Sequence, residues 1–207
     1  MIRVLLADDH QIVRDGLRRI LDAHPEFEVA GEAPGGDEAL ALVRAQDYDV
    51  AVLDMSMPGL SGLDLVKRLK AEKPRLKILV LSMHGEQQYA ARALKAGAAG
   101  YLNKDSAAEQ LVGALRKIAA GGVHVSDTAA AGLIFARSEA GAPHERLSDR
   151  EFEVFKQLAG GASPTGIARQ LNVSVKTVST HKARILDKLG LSGTAELVRY
   201  ALEHKLL

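Results

Sequence analysis

The chain has 207 residues, 47% of them hydrophobic and 26% charged, with 27 Lys and Arg against 26 Asp and Glu and no cysteine. That length holds one large domain or two smaller ones. The lack of cysteine excludes disulfides and thiolate metal sites, and no apolar run approaches the ~20 residues that cross a bilayer. Met1-Ile2-Arg3-Val4 leads directly into a strand pattern with no signal-peptide layout, so a cytoplasmic protein is expected.

Residues 2–7 (IRVLLA) read as a buried strand, and Val13, Leu17, Ile20 and Leu21 place a helical stripe on residues 11–23. Strands are then expected at Phe27–Gly31, Val50–Leu53, Lys77–Leu81 and Ala99–Leu102. Helices are expected at Asp37–Ala45, Gly62–Glu72, Glu86–Ala96 and Ser106–Ala120. Strands alternating with helices imply a parallel sheet covered on both faces. Gly121-Gly122 ends this series; residues 126–137 carry a modest helical pattern, and Ser138–Glu145, with Gly, Pro and polar residues, reads as a linker.

The remaining residues read as helical. Ser148-Asp149-Arg150-Glu151 is a capping box, and Ser163-Pro164 places an N-cap ahead of a proline at the first helical position. Ser174 caps a helix over 175–189, and a last helix follows at Ala195–His204. From Leu147 to Leu207 there are 9 Lys and Arg against 6 Asp and Glu, the surplus lying mainly in Ser174–Lys188. That basic footprint suits an acidic partner such as DNA, although a solvated charged face would look the same from charge alone. Around the 175–189 helix, Lys176, Thr180 and Ala183 point away from Val178, with Ser179 and Arg184 flanking them. This is the pattern of a recognition helix.

Ligand sites in parallel α/β sheets lie at the carboxyl ends of the strands. Asp8, Asp9, Asp54, Ser82 and Lys104 all fall at or just beyond such ends. A single aspartate at a strand end is usually a turn or cap residue; the convergence of five residues on one edge carries the functional reading. Three close carboxylates repel and call for a cation. Mg²⁺ suits them, because it takes carboxylate oxygens and keeps waters for a phosphate. Asp54 could then attack a phosphoryl group while Lys104 neutralises it and Ser82 hydrogen-bonds its oxygens. His10 and His84 read as loop histidines.

Residues 1–120 resemble the receiver domain of two-component response regulators. The resemblance rests on Asp8-Asp9, on Asp54 followed by Met57-Pro58-Gly59 and Gly62, and on Ser82, Tyr101 and Lys104. The segment LSDREFEVFKQLAGG…IARQLNVSVKTVSTHKARILDKLGL resembles the LuxR-type four-helix DNA-binding domain of the NarL/FixJ regulators. These resemblances imply a doubly wound five-stranded parallel sheet of flavodoxin-like order 2-1-3-4-5, followed by a small all-α helix-turn-helix domain. The implied divisions are a receiver at 1–121, a partly helical linker at 122–146 and a DNA-binding domain at 147–207.

By resemblance, Asp54 is the phosphoacceptor for a sensor histidine kinase or a small phosphodonor. Asp9 binds Mg²⁺ directly, Asp8 binds mainly through water, and the Ser56 carbonyl completes the site. Ser82 and Tyr101 are the switch residues. Ser179, Thr180 and Ala183 take groove-facing positions, Lys176 and Thr177 lie at the helix start, and Lys182, Arg184 and Lys188 are candidates for phosphate contacts. Two departures stand out: Asp105 follows Lys104 where many receivers have proline, and Ser179 stands where many relatives have lysine. The expected function is a phosphorylation-activated, homodimeric transcription regulator acting on duplex DNA with RNA polymerase, neither an enzyme nor a membrane protein. One rival is a protein-binding adaptor. The other, a Mg²⁺-dependent phosphatase, would need an acid two residues after the nucleophile, where this chain has Ser56.

Overall fold

The structure, a computed structural model, describes residues 1–57, 60, 62–82, 86–125, 142–171, 173–204 and 206–207. Pro58, Gly59, His84 and the helical pattern of 126–137 lie outside the described residues. The chain divides into two units, Met1–Leu133 and Ile134–Leu207.

The first unit alternates β1 (Ile2–Ala7), α1 (Gln11–Asp22), β2 (Phe27–Ala33), α2 (Gly36–Ala45), β3 (Val50–Asp54), α3 (Gly62–Glu72), β4 (Lys77–Ser82), α4 (Glu86–Lys95), β5 (Gly100–Asn103) and α5 (Ala107–Ala119). The strands form one parallel sheet in the order β2-β1-β3-β4-β5. Its apolar runs are buried because both faces are covered. Val4, Leu6, Val52, Leu79, Leu81 and Leu102 pack on one face against Leu17 and Leu21 of α1 and Leu111, Leu115 and Ile118 of α5. Residues of the opposite parity, among them Leu5, Leu53, Val80 and Tyr101, are equally buried and belong to the other face.

Two boundaries bear on the chemistry. Strands β3 and β4 each run one residue further than their apolar patterns suggest, since the ladder continues through Asp54↔Leu81 and Ser82↔Asn103. Asp54 and Ser82 are therefore held by sheet pairing, not by loops. After α5 the chain returns to the sheet: the Tyr101 amide donates to the His124 carbonyl at 2.9 Å and the His124 amide to the Ala99 carbonyl at 3.0 Å. Gly100 permits this approach, because a Cβ there would lie 2.8 Å from the His124 carbonyl and 2.7 Å from Ile118 Cδ1.

In the second unit a short 3-10 turn (Pro143–Arg146) precedes α6 (Asp149–Ala159), α7 (Pro164–Gln170), α8 (Val175–Leu189) and α9 (Thr194–Glu203). The expected caps form. Ser148 and Glu151 make the reciprocal capping box, and the Ser163 and Ser174 side chains accept from the amides of Gly166 and Thr177. Gly190 closes α8 in the left-handed region, φ 67°, which glycine adopts without a Cβ penalty. Phe152, Phe155, Ile167, Val178, Ile185 and Leu197 are all essentially fully buried and form the core.

The expected linker, 122–146, is anchored at both of its described ends. His124 pairs with β5, and His144 is buried in the second unit, its Nδ1 3.0 Å from the Tyr200 hydroxyl and its ring beside His204. Composition marks 138–145 as linker because of Gly and Pro, but it does not show that His144 finds a hydroxyl partner 56 residues away.

Candidate functional site

At the carboxyl edge of the sheet, Asp8 and Asp54 are buried, 1% and 3% exposed. Asp8 comes directly after the last paired residue of β1 and Asp54 is itself the last paired residue of β3, so both stand at the rim. The Lys104 ammonium, delivered from beyond β5, lies 2.7 Å from Asp8 Oδ2 and 3.0 Å from Asp54 Oδ2. Asp9 is more open, and His10 Nδ1 sits 2.8 Å from its Oδ1. Ligand atoms of Asp8, Asp9, His10 and Asp54 lie within 4.8 Å of one another. Ser82, buried at the end of β4, shares the edge, and Tyr101 is wholly buried in β5. Ser56 lies in the turn after β3, where its backbone favours the charged form of the Asp54 carboxyl.

The electrostatics follow from this geometry. Burial pushes the Asp54 carboxyl above the ordinary aspartate value; the charge of Lys104 opposes the shift and that of Asp8 adds to it. Burial disfavours the charged form of Lys104, but its close contact with Asp8 and the charge of Asp54 outweigh that, so its pKa is raised and the ammonium persists. One lysine faces two buried carboxylates, with Asp9 beside them, so the pocket keeps surplus negative charge. Beyond their ion pairs with Lys104, Asp8 Oδ2 and Asp54 Oδ2 receive no well-directed hydrogen bond from the described residues. Under-satisfied buried carboxylate oxygens with an open acid beside them fit a hard, oxygen-seeking cation.

Asp105, in place of proline after Lys104, is accommodated by Asn103. The Asn103 side chain accepts from the Asp105 amide at 2.9 Å and caps the 3-10 turn Lys104–Ser106. His10, read from sequence as a loop histidine, stands against Asp9 and among the candidate ligands. Its position directly after two acids was the available signal.

On α8, Lys176, Ser179, Thr180, Ala183 and Arg184 are exposed on the side away from Val178, and Thr177 is half-buried at the first turn. Ser179 and Thr180 donate back to the carbonyls of Val175 and Lys176 at 3.0 and 2.9 Å. Lys182 is half-buried, as expected about 40° around the helix from Val178. Lys188, expected as a candidate phosphate contact, has partners within its own unit. Its ammonium lies 2.6 Å from Glu151 Oε2 and 3.3 Å from the Arg146 carbonyl, so its charge is taken up inside the unit. His181 is half-buried, and burial with nearby Arg150 lowers its pKa and favours neutral imidazole.

A parallel sheet with buried carboxylates and a lysine at its carboxyl edge, followed by a helix-turn-helix unit, defines a receiver-type protein with a nucleic-acid-binding output. The response regulator receiver domain matches residues 4–116, and the bacterial regulatory proteins of the luxR family match residues 145–201. The chain belongs to the NarL/FixJ family of two-component response regulators, which are transcriptional regulators.

It is 37% identical to response regulator UvrY of Escherichia coli O6:H1 over 209 residues, covering 100% of this chain and 96% of that one. It is 39% identical to oxygen regulatory protein NreC of Staphylococcus epidermidis over 216 residues, covering 100% and 99%. Among solved structures it resembles RcsB of Salmonella enterica serovar Typhimurium bound to promoter rprA in the presence of the phosphomimetic BeF3⁻. There the TM-score is 0.69 and the identity 29%, covering 96% of this chain and 97% of that one. No described helix is long and apolar enough to cross a membrane.

Proposed function

We propose that Asp54 accepts a phosphoryl group from a sensor histidine kinase or a small phosphodonor, and that the modified protein dimerises and binds promoter DNA to act with RNA polymerase. An Asp54 carboxylate oxygen bonds to phosphorus as the bond from phosphorus to the donor breaks, leaving an acyl phosphate on Asp54. The observation that carries this reading is Lys104, whose ammonium is held between the buried carboxylates of Asp8 and Asp54. It is placed to pair with the arriving phosphoryl oxygens, and Ser82 is at the same rim to hydrogen-bond them. Asp8, Asp9, Asp54 and the Ser56 carbonyl would hold Mg²⁺, which supplies charge neutralisation to an incoming phosphate. Tyr101 is the second switch residue.

The output surface is the exposed side of α8: Lys176, Thr177, Ser179, Thr180, Ala183 and Arg184, with Lys182 on its flank. The RcsB structure on promoter DNA in the presence of a phosphomimetic supports coupling of the two events. The domains run 1–121 and 147–207, the protein works in the cytoplasm, and its role is switching, not turnover of a free substrate. The test is acetyl phosphate with Mg²⁺ on the full chain, read by intact mass and promoter binding. Wild type should gain one phosphoryl group and bind promoter more tightly, while Asp54→Asn should do neither. Equal labelling of Asp54→Asn would remove Asp54 from the mechanism.

A further inference from the structure

We infer that Arg14 is a positioning residue for the acidic pocket: it fixes the Asp8–Asp9 peptide unit and so aims the Asp9 carboxylate at the cation position. This rests on the reading of the pocket as a cation-assisted phosphoacceptor site. Arg14 lies on α1 with its side chain only 13% exposed. Its Nη1 donates to the Asp8 backbone carbonyl at 2.6 Å, and its Nε to Glu32 Oε2 on β2 at 3.3 Å. Arg18, one helical turn further on, donates through Nε to the other Glu32 oxygen at 2.6 Å.

The Asp8 carbonyl and the Asp9 amide belong to one rigid plane, so the direction of that carbonyl sets where the Asp9 side chain begins. The Asp8 amide is already held by the Ala33 carbonyl at 3.1 Å, and Asp8 Oδ1 accepts from the His10 amide at 2.9 Å. Arg14 supplies the remaining fixed point on the plane that leads into Asp9. Asp9 needs that aim, because its carboxylate is part-exposed and its close contact is the exposed His10 ring.

A cation beside a cation site would ordinarily weaken it. Glu32 offsets the Arg14 charge, so what Arg14 turns to the pocket is chiefly a directed donor. If Arg14 served only to clamp α1 to β2, Arg18 would do the same through the same carboxylate. The contact unique to Arg14 is the one to Asp8.

The test is Mn²⁺ binding to the full chain, followed by the electron paramagnetic resonance signal of free Mn²⁺, on wild type, Arg14→Ala, Arg14→Lys, Arg18→Ala and Asp9→Asn. Arg14→Ala should bind Mn²⁺ about tenfold more weakly, the scale of losing an outer-shell partner. Arg14→Lys, which can still donate to the carbonyl, should recover most of the affinity. Arg18→Ala removes the same charge from the same clamp and should not weaken binding. Coulomb's law alone predicts tighter binding for both alanine variants, so weakening confined to Arg14→Ala runs against the charge effect and isolates the positioning role. Wild-type affinity in Arg14→Ala, or equal weakening in Arg18→Ala, overturns it. If wild type binds no Mn²⁺, or Asp9→Asn binds it equally well, the cation-site reading itself fails and the role of Arg14 falls with it. Should Arg14→Ala not fold, Arg14→Gln, which keeps the stem but is too short to span to Asp8, is read in the same way.

Discussion

Replacing Lys188 with alanine separates two roles that charge alone makes look identical. The ammonium is 2.6 Å from Glu151 Oε2, with the Glu151 side chain 4% exposed and Lys188 36% exposed. Removing one partner of a fully buried pair costs about 3–5 kcal/mol. Here the lysine side is open to water and Glu151 keeps the Ser148 amide at 2.8 Å, so the expected loss is about 2 kcal/mol, the scale of a hydrogen bond to a charged group. A unit of roughly 60 residues has only about 3–9 kcal/mol to lose.

The sign with pH also follows. Burial works to raise the Glu151 pKa, but Lys188 and the Ser148 contacts overcome it and hold it below the ordinary value. The pair's contribution is therefore present above the unfolded glutamate pKa of about 4.3 and is lost as pH falls through the depressed folded value. Urea unfolding of residues 147–207 in the full chain, followed by hydrogen exchange at pH 7 and in acid, should show a large gap that narrows at low pH. Below the unfolding transition, the salt slope of DNA affinity should not change. An unchanged unfolding midpoint with a slope reduced by about 0.9, the value for one lost phosphate contact, would refute the structural role and restore Lys188 to the DNA surface.

Asp54→Asn should stabilise the first unit at pH 7 without metal, within the ~0.5–3 kcal/mol typical of single substitutions. Because burial raises the Asp54 pKa, proton binding favours the fold below the unfolded pKa, and that gain is lost as pH rises through the folded one. Thermal melts should therefore converge in acid, and a less stable Asp54→Asn at pH 7 would contradict the assignment of the shift to burial. Gly100→Ala should cost about 1–3 kcal/mol as overpacking and detach residues 122–125 from β5. Loss of exchange protection at the Tyr101 amide reports the detachment, and retained protection would show that the His124 backbone gives way without releasing.

The parallel sheet and the edge that carries the pocket were legible because apolar runs ending in Asp8, Asp54 and Lys104 obey a rule about where parallel strands place their ends; the strand order was implied by the resemblance to receiver domains. The caps at Ser148, Ser163 and Ser174 were legible because they are local. What sequence hid were contacts to backbone or across long separations. Arg14 looks like an ordinary polar position on an amphipathic helix, since its target is a carbonyl that every residue possesses. Lys188 and Glu151 lie 37 residues apart, so neither the charge count of α8 nor the family resemblance shows that they pair. The half-burial of Lys182 depends on helical phase, which a charge count ignores.

The return of the chain to β5 has a consequence for assembly. An outermost strand normally offers unpaired amides and carbonyls to any other strand that comes near. Here His124 takes up one carbonyl and one amide of that edge, those of Ala99 and Tyr101, so a second molecule that paired with β5 along its whole length would first have to displace this segment. Strand exchange at that point is thereby disfavoured in an intact chain, and a fragment ending at Ala120 would leave the Tyr101 amide and the Ala99 carbonyl open to another strand.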